Sequence, residues 1–271
     1  MNISDQISQI YSNVLDVDNN YVGKDDVTIV VPTLNEEKAI EIVLNDILLE
    51  GYSKIFLIDG NSVDETVNIA EKMQVPAYTQ SGRGKTGAIK SALNYIKTPY
   101  FVIIDGDATY SAKDIEKLLE KAPHYNQVIG ARQDRVNIKM LNRFGNDLIN
   151  MLFNLSFGTK LTDVCSGLYV LNTSRAKQLK LETGGFDVEV EIAAQTAASR
   201  KITEVPISYS SRIGVGKLNP IRDGFLIMTS IIKLSKRHNP LVFYSYLLGL
   251  ILTTTVIGFV IRDIVLTLLI N

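Results

Sequence analysis

Residues Tyr100 to Asp107 read YFVIIDGD, five apolar or aromatic residues running directly into Asp105-Gly106-Asp107. Such a run is too short for a buried helix and rich in β-branched residues, so it predicts a buried strand that ends on two carboxylates. Two earlier stretches have the same form. VTIVVP (27–32) leads into Thr33-Leu34-Asn35-Glu36, and KIFLID (54–59) leads into Gly60-Asn61. Between them lie helical patterns: NEEKAIEIVLNDILLEG (35–51), read with its acids in the first turn, a helix after Asp64, and one from Lys85 to Ile96, with a weak strand near Val75. Strands alternating with helices predict crossovers and an α/β domain built on a mostly parallel sheet. In such sheets the carboxyl ends of the strands form the ligand crevice, and Asp59 and Asp105 are both delivered there.

The second half is less regular. It predicts a strand over QVIGAR (127–132), a long helix over 139–157, a strand over SGLYVL (166–171), the stretch FDVEVEIAAQTAAS, and an edge strand ITEVPISY. The edge assignment rests on Pro206, which has no N–H to give to a ladder. IRDGFLIMTSIIKLSKR (221–237) carries an apolar helical stripe ending in cations, a pattern that suits either a helix in the membrane interface or one packed on the domain. Residues 239–261 contain no charge and are long enough to span a bilayer. Lys233, Lys236 and Arg237 precede them, which by the positive-inside rule predicts a single-pass protein with its large domain on the cytoplasmic side of the cell membrane. The expected division is an arm over 1–24, a catalytic domain over 25–220, an interfacial helix over 221–238, and a membrane segment with a short tail over 239–271.

Composition narrows the classes. The 271 residues hold 28 Lys and Arg against 29 Asp and Glu, so no global field attracts nucleic acid. Cys165 is the single cysteine and forms no internal disulfide. The polar N-terminus shows no apolar signal region, which leads to the expectation of a cytoplasmic catalytic part. His124 and His238 fall in an exposed-looking loop and beside the membrane segment, and neither is assigned to chemistry.

Asp-Gly-Asp is ordinary turn chemistry when isolated. Here it closes a buried strand, and Asp59-Gly60-Asn61 repeats the arrangement one crossover earlier. The paired carboxylates of Asp105 and Asp107 therefore predict hard oxygen ligands for Mg²⁺ or Mn²⁺ against a diphosphate. Gly82-Arg83-Gly84-Lys85-Thr86-Gly87 fits the dinucleotide fingerprint, which makes a nicotinamide-dependent oxidoreductase the main rival. The Walker pattern fails because position 79 is threonine. What remains is a basic, glycine-rich loop opening a helix, suited to phosphates through backbone N–H groups and Lys85. Arg132, Arg143, Arg212 and Lys217 form a second set of phosphate-matching cations, with surface charge as the plainer reading of Lys217. Asp163, Asp187, Glu189 and Glu191 either position sugar hydroxyls or pair with these arginines.

Taken in order, PTLNEE, IDGNSVDET, GRGKTGA, IIDGDATY, IGAR, LNRFGN, TDVCSG, EVPISY and GKLN resemble dolichyl-phosphate mannose synthase and its relatives in family 2 of the glycosyltransferases, over roughly residues 27–222. The resemblance implies a GT-A fold, inversion at the anomeric carbon, a nucleotide-sugar donor and a dolichyl or other polyprenyl phosphate acceptor that never leaves the lipid bilayer. It implies Pro32, Thr33, Asn35 and Glu36 around the nucleoside, Asp59 reading the base with Asn61 beside it, and Lys85, Asp105, Gly106 and Asp107 at the donor diphosphate and metal. Arg132, Arg143, Arg212 and Lys217 would bind phosphates, with Asp163 among the catalytic residues. Two departures bear on the donor: Asp59-Gly60-Asn61-Ser62 stands where the mannose synthases carry D-D-G-S, and Thr109 where they carry a metal-assisting glutamine. Both weaken the case for GDP-mannose, which stays as the alternative donor, and the GKLNPIRDG ending, closer to relatives that load glucose or N-acetylglucosamine from UDP, favours UDP-glucose or UDP-N-acetylglucosamine. A membrane-tethered, non-catalytic nucleotide-binding protein is the remaining alternative, and the absence of tryptophan argues against a processive synthase with a Gln-x-x-Arg-Trp motif.

Overall fold

The structure, a computed structural model, describes residues 21–133, 140–182, 184–185, 187–214, 216 and 219–270. Lys217 and most of the expected N-terminal arm lie outside the described residues.

Seven strands form one sheet in the order β3-β2-β1-β4-β6-β5-β7. They are β1 (Val27–Thr33), β2 (Ile55–Asp59), β3 (Ala77–Thr79), β4 (Tyr100–Ile103), β5 (Gln127–Arg132), β6 (Tyr169–Asn172) and β7 (Ile202–Ile207). β1 pairs in parallel with both β2 and β4, and β5 with β7. Only β6 runs against its neighbours, pairing antiparallel with β4 and β5. β7 lies at the edge, with Pro206 opposite Ala131. The ends of β1 and β2 are in register, Thr33 opposite Asp59, so the loops after these strands emerge side by side.

Helices cover both faces: α1 (Ile40–Leu49), α2 (Thr66–Lys72) and α4 (Ile115–Leu119) on one, α3 (Gly84–Ala92), α5 (Met140–Phe157), α7 (Val188–Ala197) and α8 (Pro220–His238) on the other, with the one-turn α6 (Thr173–Ala176) after β6. The alternation of strand side chains explains the two cores. Val30 and Ile58 point toward Ile89, Phe153 and Ile192, while Ile29, Val31 and Leu57 point toward Ile40, Leu44 and Ile115. A strand covered on both faces must be apolar throughout, and β2 is buried at every position.

The stretch 35–51 departs from its predicted helix. α1 begins only at Ile40, because Asn35 takes a positive φ of 52° and Glu36 turns its side chain into the site. The Glu36 carbonyl accepts the first helical bonds, from Ala39 and Ile40, and its own N–H donates to the Thr66 hydroxyl. Glu36 and Glu37 are therefore loop residues and not first-turn acids. α3 also ends four residues short of the predicted Ile96, and β6 starts at Tyr169 and not at Ser166.

α8 buries Ile227, Ile231 and Leu234 against α5 and α7, and Ser230 donates to Asp187 at 2.6 Å. Its other side leaves Ile221, Phe225, Leu226 and Ile232 exposed. Of the two readings of this segment, packing on the domain is the one observed for its buried face. α9 (Pro240–Ile270) follows directly, and its first 23 residues are long and apolar enough to cross a membrane, with none of them fully buried. The predicted tail continues the same helix. At the junction Asn239 donates to the Ser156 carbonyl at 2.9 Å, and the Ser156 and Tyr246 hydroxyls meet at 3.0 Å, so α9 is tied to α5.

Candidate active site

The loops after β1, β2 and β4 meet at the carboxyl edge of the sheet, where Asp107, Asp59 and Glu36 are all buried. Asp105 and Asp107 project from a tight turn. Gly106 permits it, since a Cβ there would stand 3.0 Å from Thr33 Cγ2, and Ala108 completes it with a φ of 61°.

Asp107 Oδ1 accepts from the Thr109 hydroxyl at 2.6 Å and from its backbone N–H at 3.1 Å. Its Oδ2 accepts from Arg212 at 2.5 Å, and the other arm of the same guanidinium reaches Glu36 at 2.5 Å. Arg212 thus bridges the β1 loop to the Asp-Gly-Asp turn across 176 residues of sequence. Asp105 Oδ1 meets the Lys85 ammonium at 2.5 Å, and Lys85 also contacts Glu189 Oε1 at 2.6 Å. Burial pushes the Asp107 carboxyl above its ordinary value and the Asp105 charge adds to the effect, against the hydrogen bonds from Thr109 and the pull of Arg212. Burial likewise raises Glu189 against the pull of Lys85. For Lys85, burial acts to lower the ammonium, but Asp105 and Glu189 overcome it and hold it well above its usual range.

The glycine-rich loop lies where the β3–α3 connection meets this pair. Gly82 and Gly84 have positive φ, and a Cβ on Gly84 would press on the Gly184 carbonyl at 2.5 Å. The preceding strand is the three-residue edge strand β3, whereas a dinucleotide fingerprint is fed by a strand at the sheet's interior switch point. Lys85 turns inward and pairs with Asp105 and Glu189.

The nucleoside-side residues form their own network. Asp59 accepts from the Thr33 hydroxyl and from the hydroxyl and N–H of Ser62, so both its oxygens hold the turn. Asn35 accepts from Val63 N–H at 2.8 Å and donates its own N–H to the Ser62 hydroxyl. Pro32 is half-buried at the end of β1, and Asn61 is exposed with a φ of 66°. Asp59, expected from the resemblance to read the base, holds the loop through Thr33 and Ser62.

A second group lies two strands further along, beyond β6. Arg132, at the end of β5, grips Asp163 with Nε and Nη2, both at 2.6 Å, while its backbone N–H donates to the same carboxylate at 3.0 Å. The guanidinium lies over the Tyr209 ring, 5.1 Å from its centre. Burial works against its charge, and Tyr110 and Asp163 more than compensate. Of the two roles read for Asp163, the arginine pairing is the observed one. Arg143 is half-buried on the first turn of α5, and a cavity of about 710 Å³ opens beside Arg132 between β5, β7 and that helix, touching neither Asp105 nor Asp107. Asp187 binds Ser230 and the Gly185 N–H, and Glu191 accepts from the Glu182 N–H, so neither reaches the acid pair. Cys165 beside Asp163 is held protonated by burial.

Sequence reasoning missed Ser62, Tyr209 and the Lys85 pairing of Glu189. Ser62 was readable, since Asp-x-x-Ser after a strand is an Asx-turn pattern. Nothing local marks Tyr209 or Glu189, because their partners are 77 and 104 residues away in sequence.

Residues 28–177 match the family described as Glycosyl transferase family 2. Glycosyltransferase AglJ of Haloferax volcanii is 36% identical over 242 residues, covering 86% of this chain and 80% of its own. The dolichyl-phosphate hexose transferase of the same organism is 31% identical over 215 residues, covering 77% and 93%. Among solved structures, glucosyl-3-phosphoglycerate synthase from Mycobacterium tuberculosis, in complex with Mn²⁺, UDP-glucose and phosphoglyceric acid, superposes with a TM-score of 0.62 at 19% identity, covering 78% of this chain and 79% of that one. At that identity the likeness speaks for the fold.

Proposed function

Because this chain belongs to glycosyl transferase family 2, we propose that it transfers a single hexose or N-acetylhexosamine from a UDP-sugar to a polyprenyl phosphate held in the membrane. The observation that carries the reading is the charge of the site. Among the described residues, Glu36 and Asp107 gather on Arg212, and Asp105 and Glu189 on Lys85, so four carboxylates meet at the carboxyl edge of the sheet. A divalent cation would offset the charge of carboxylates crowded in this way, which is costly to hold away from water. Asp105 and Asp107 would hold that cation. Among the described residues no three His, Cys, Asp or Glu side chains form a complete cage, which suits Mg²⁺ or Mn²⁺ completing its shell with donor phosphate and water. When bound, the cation supplies charge neutralisation for the departing diphosphate.

The chain's own residues do the rest. The lipid phosphate, a monoester with its second pKa near 6, is already largely dianionic at neutral pH and needs little help from a general base. Its oxygen attacks the anomeric carbon from the face opposite the nucleotide; the new C–O bond forms as the bond to the diphosphate oxygen breaks, and the electron pair leaves on UDP with inversion. Asp163 holds Arg132 in one orientation, leaving the guanidinium's remaining N–H groups for phosphate, with Arg143 as its nearest expected helper. Arg212, which holds Asp107 and Glu36 together, would bind phosphate as well, as would Lys217, five residues on in sequence.

The acceptor is supported by the name of the hexose transferase relative and by the apolar surfaces around the site. α9 would span the bilayer, and the exposed Phe225 and Leu226 of α8, with Phe144 and Met151 of α5, would rest in its cytoplasmic interface. Thr109, bonded to Asp107, stands where the mannose synthases carry a glutamine, which favours UDP-glucose or UDP-N-acetylglucosamine over GDP-mannose.

The test is label transfer by purified full-length protein to a short polyprenyl phosphate, with each of the three donors offered separately, with Mn²⁺ or with EDTA. A labelled lipid from one UDP-sugar, lost with EDTA, is expected. No lipid product from any donor, with the protein folded, would remove the acceptor assignment.

A further inference from the structure

We propose that Glu189 is a positioning residue for Asp105, acting through Lys85 to keep that carboxylate both oriented and negatively charged enough to hold a divalent cation. The inference rests on the cation reading given above.

Glu189 occupies the first turn of α7, a helix whose Val188, Val190, Ile192, Ala193 and Ala194 are all buried. It is itself buried, and a carboxylate in such surroundings persists only when paired. Its partner is the ammonium of Lys85, which lies 2.6 Å from Glu189 Oε1 and 2.5 Å from Asp105 Oδ1. The lysine is therefore shared between two acids, one in the helical layer and one facing the crevice. Asp105 is the more open of the pair, its side chain 31% exposed against 7% for Glu189.

Sharing has an electrostatic consequence. A lysine paired to Asp105 alone would cancel its charge and compete with a metal for its oxygens. With Glu189 drawing on the same ammonium, the Lys85–Asp105–Glu189 group keeps one net negative charge. Orientation follows from the same contacts. Lys85 fixes Oδ1, and Gly167 closes against Oδ2 so tightly that a Cβ there would overlap it. The carboxylate plane is held from both sides before any ligand arrives. A residue that fixes a metal ligand from behind governs affinity nearly as strongly as the ligand itself.

A purely structural Glu189, present only to satisfy a buried lysine, predicts altered stability and an unchanged cation site. The distinguishing readout is direct Mn²⁺ binding, measured by electron paramagnetic resonance on folded, full-length protein in detergent with UDP present. Glu189→Gln, nearly isosteric but uncharged, should weaken Mn²⁺ roughly tenfold. Glu189→Asp, which keeps the charge one methylene short, should recover part of that loss. In a Lys85→Met background the Glu189→Gln change should produce no further weakening, since the route to Asp105 has been removed. Wild-type affinity in Glu189→Gln, no recovery in Glu189→Asp, or equal weakening with and without Lys85 would each overturn the proposal. Failure of the wild-type protein itself to bind Mn²⁺ would instead overturn the cation reading beneath it.

Discussion

Arg212 offers the sharpest perturbation, because one guanidinium neutralises two acids from different loops. Its partners Glu36 and Asp107 are only 9% and 8% exposed, while Arg212 is 29% exposed. Breaking a buried pair by deleting one member costs about 3–5 kcal/mol, and solvent at the arginine reduces this to about 2–3 kcal/mol. In a domain of this size each kcal/mol moves the melting temperature by about 2–4 °C. Arg212→Gln should therefore lower the apparent Tm by about 5–10 °C when unfolding is followed in detergent with EDTA. Mn²⁺ should then return more stability to the variant than it adds to wild type, since a cation on Asp107 replaces the missing positive charge and binding to the folded state alone raises Tm. Sugar transfer should stay low even when Mn²⁺ has restored the fold. A variant that melts with wild type in EDTA, or whose deficit is untouched by Mn²⁺, would refute the reasoning.

Other substitutions separate the parts of the site. Asp107→Asn should leave the protein folded and reduce transfer at least 100-fold, roughly the scale of losing one preorganised charge at a reacting centre, as measured by initial rate at saturating donor. Gly167→Ala drives a Cβ into Asp105 and should lower Mn²⁺ affinity with little change in donor-free secondary structure, checked by Mn²⁺ titration and circular dichroism. Asp114 anchors the end of β7 through the N–H and hydroxyl of Ser208; burial pushes its carboxyl up, but the hydrogen bonds from Lys117 and Ser208 prevail and hold it below its ordinary value. A depressed carboxyl contributes stability above its unfolded value near 4 and loses it as pH falls through the folded one. Asp114→Asn should thus cost about 1–2 kcal/mol at pH 7, with the deficit shrinking below about pH 4 in a series of denaturant melts.

The sheet was legible because its strands obey a local rule: VTIVVP, KIFLID and YFVIID each carry a near-continuous apolar run, as strands covered on both faces do. The reversal of β6 was not legible, since strand direction depends on long-range pairing and leaves no mark in SGLYVL. The helix start near Asn35 was misread for a related reason. Glu36 and Glu37 suit a first turn by propensity, but an ion pair to Arg212 draws Glu36 out of it. Asp105 and Asp107 could be named from sequence because a strand carries them straight to the crevice. Their partners could not. Lys85 and Arg212 both read as phosphate ligands, and only the tertiary arrangement brings each onto an acid.

The central claim is a bond between a sugar's anomeric carbon and a lipid phosphate. A donor labelled with ¹³C at that carbon, incubated with the full chain, Mn²⁺ and a short polyprenyl phosphate, reports the bond directly by nuclear magnetic resonance. A product in the lipid phase whose labelled carbon couples to the single lipid phosphorus, with anomeric configuration opposite to the donor's, is the expected result. A labelled carbon with no phosphorus coupling, or one that keeps the donor's configuration, would contradict it.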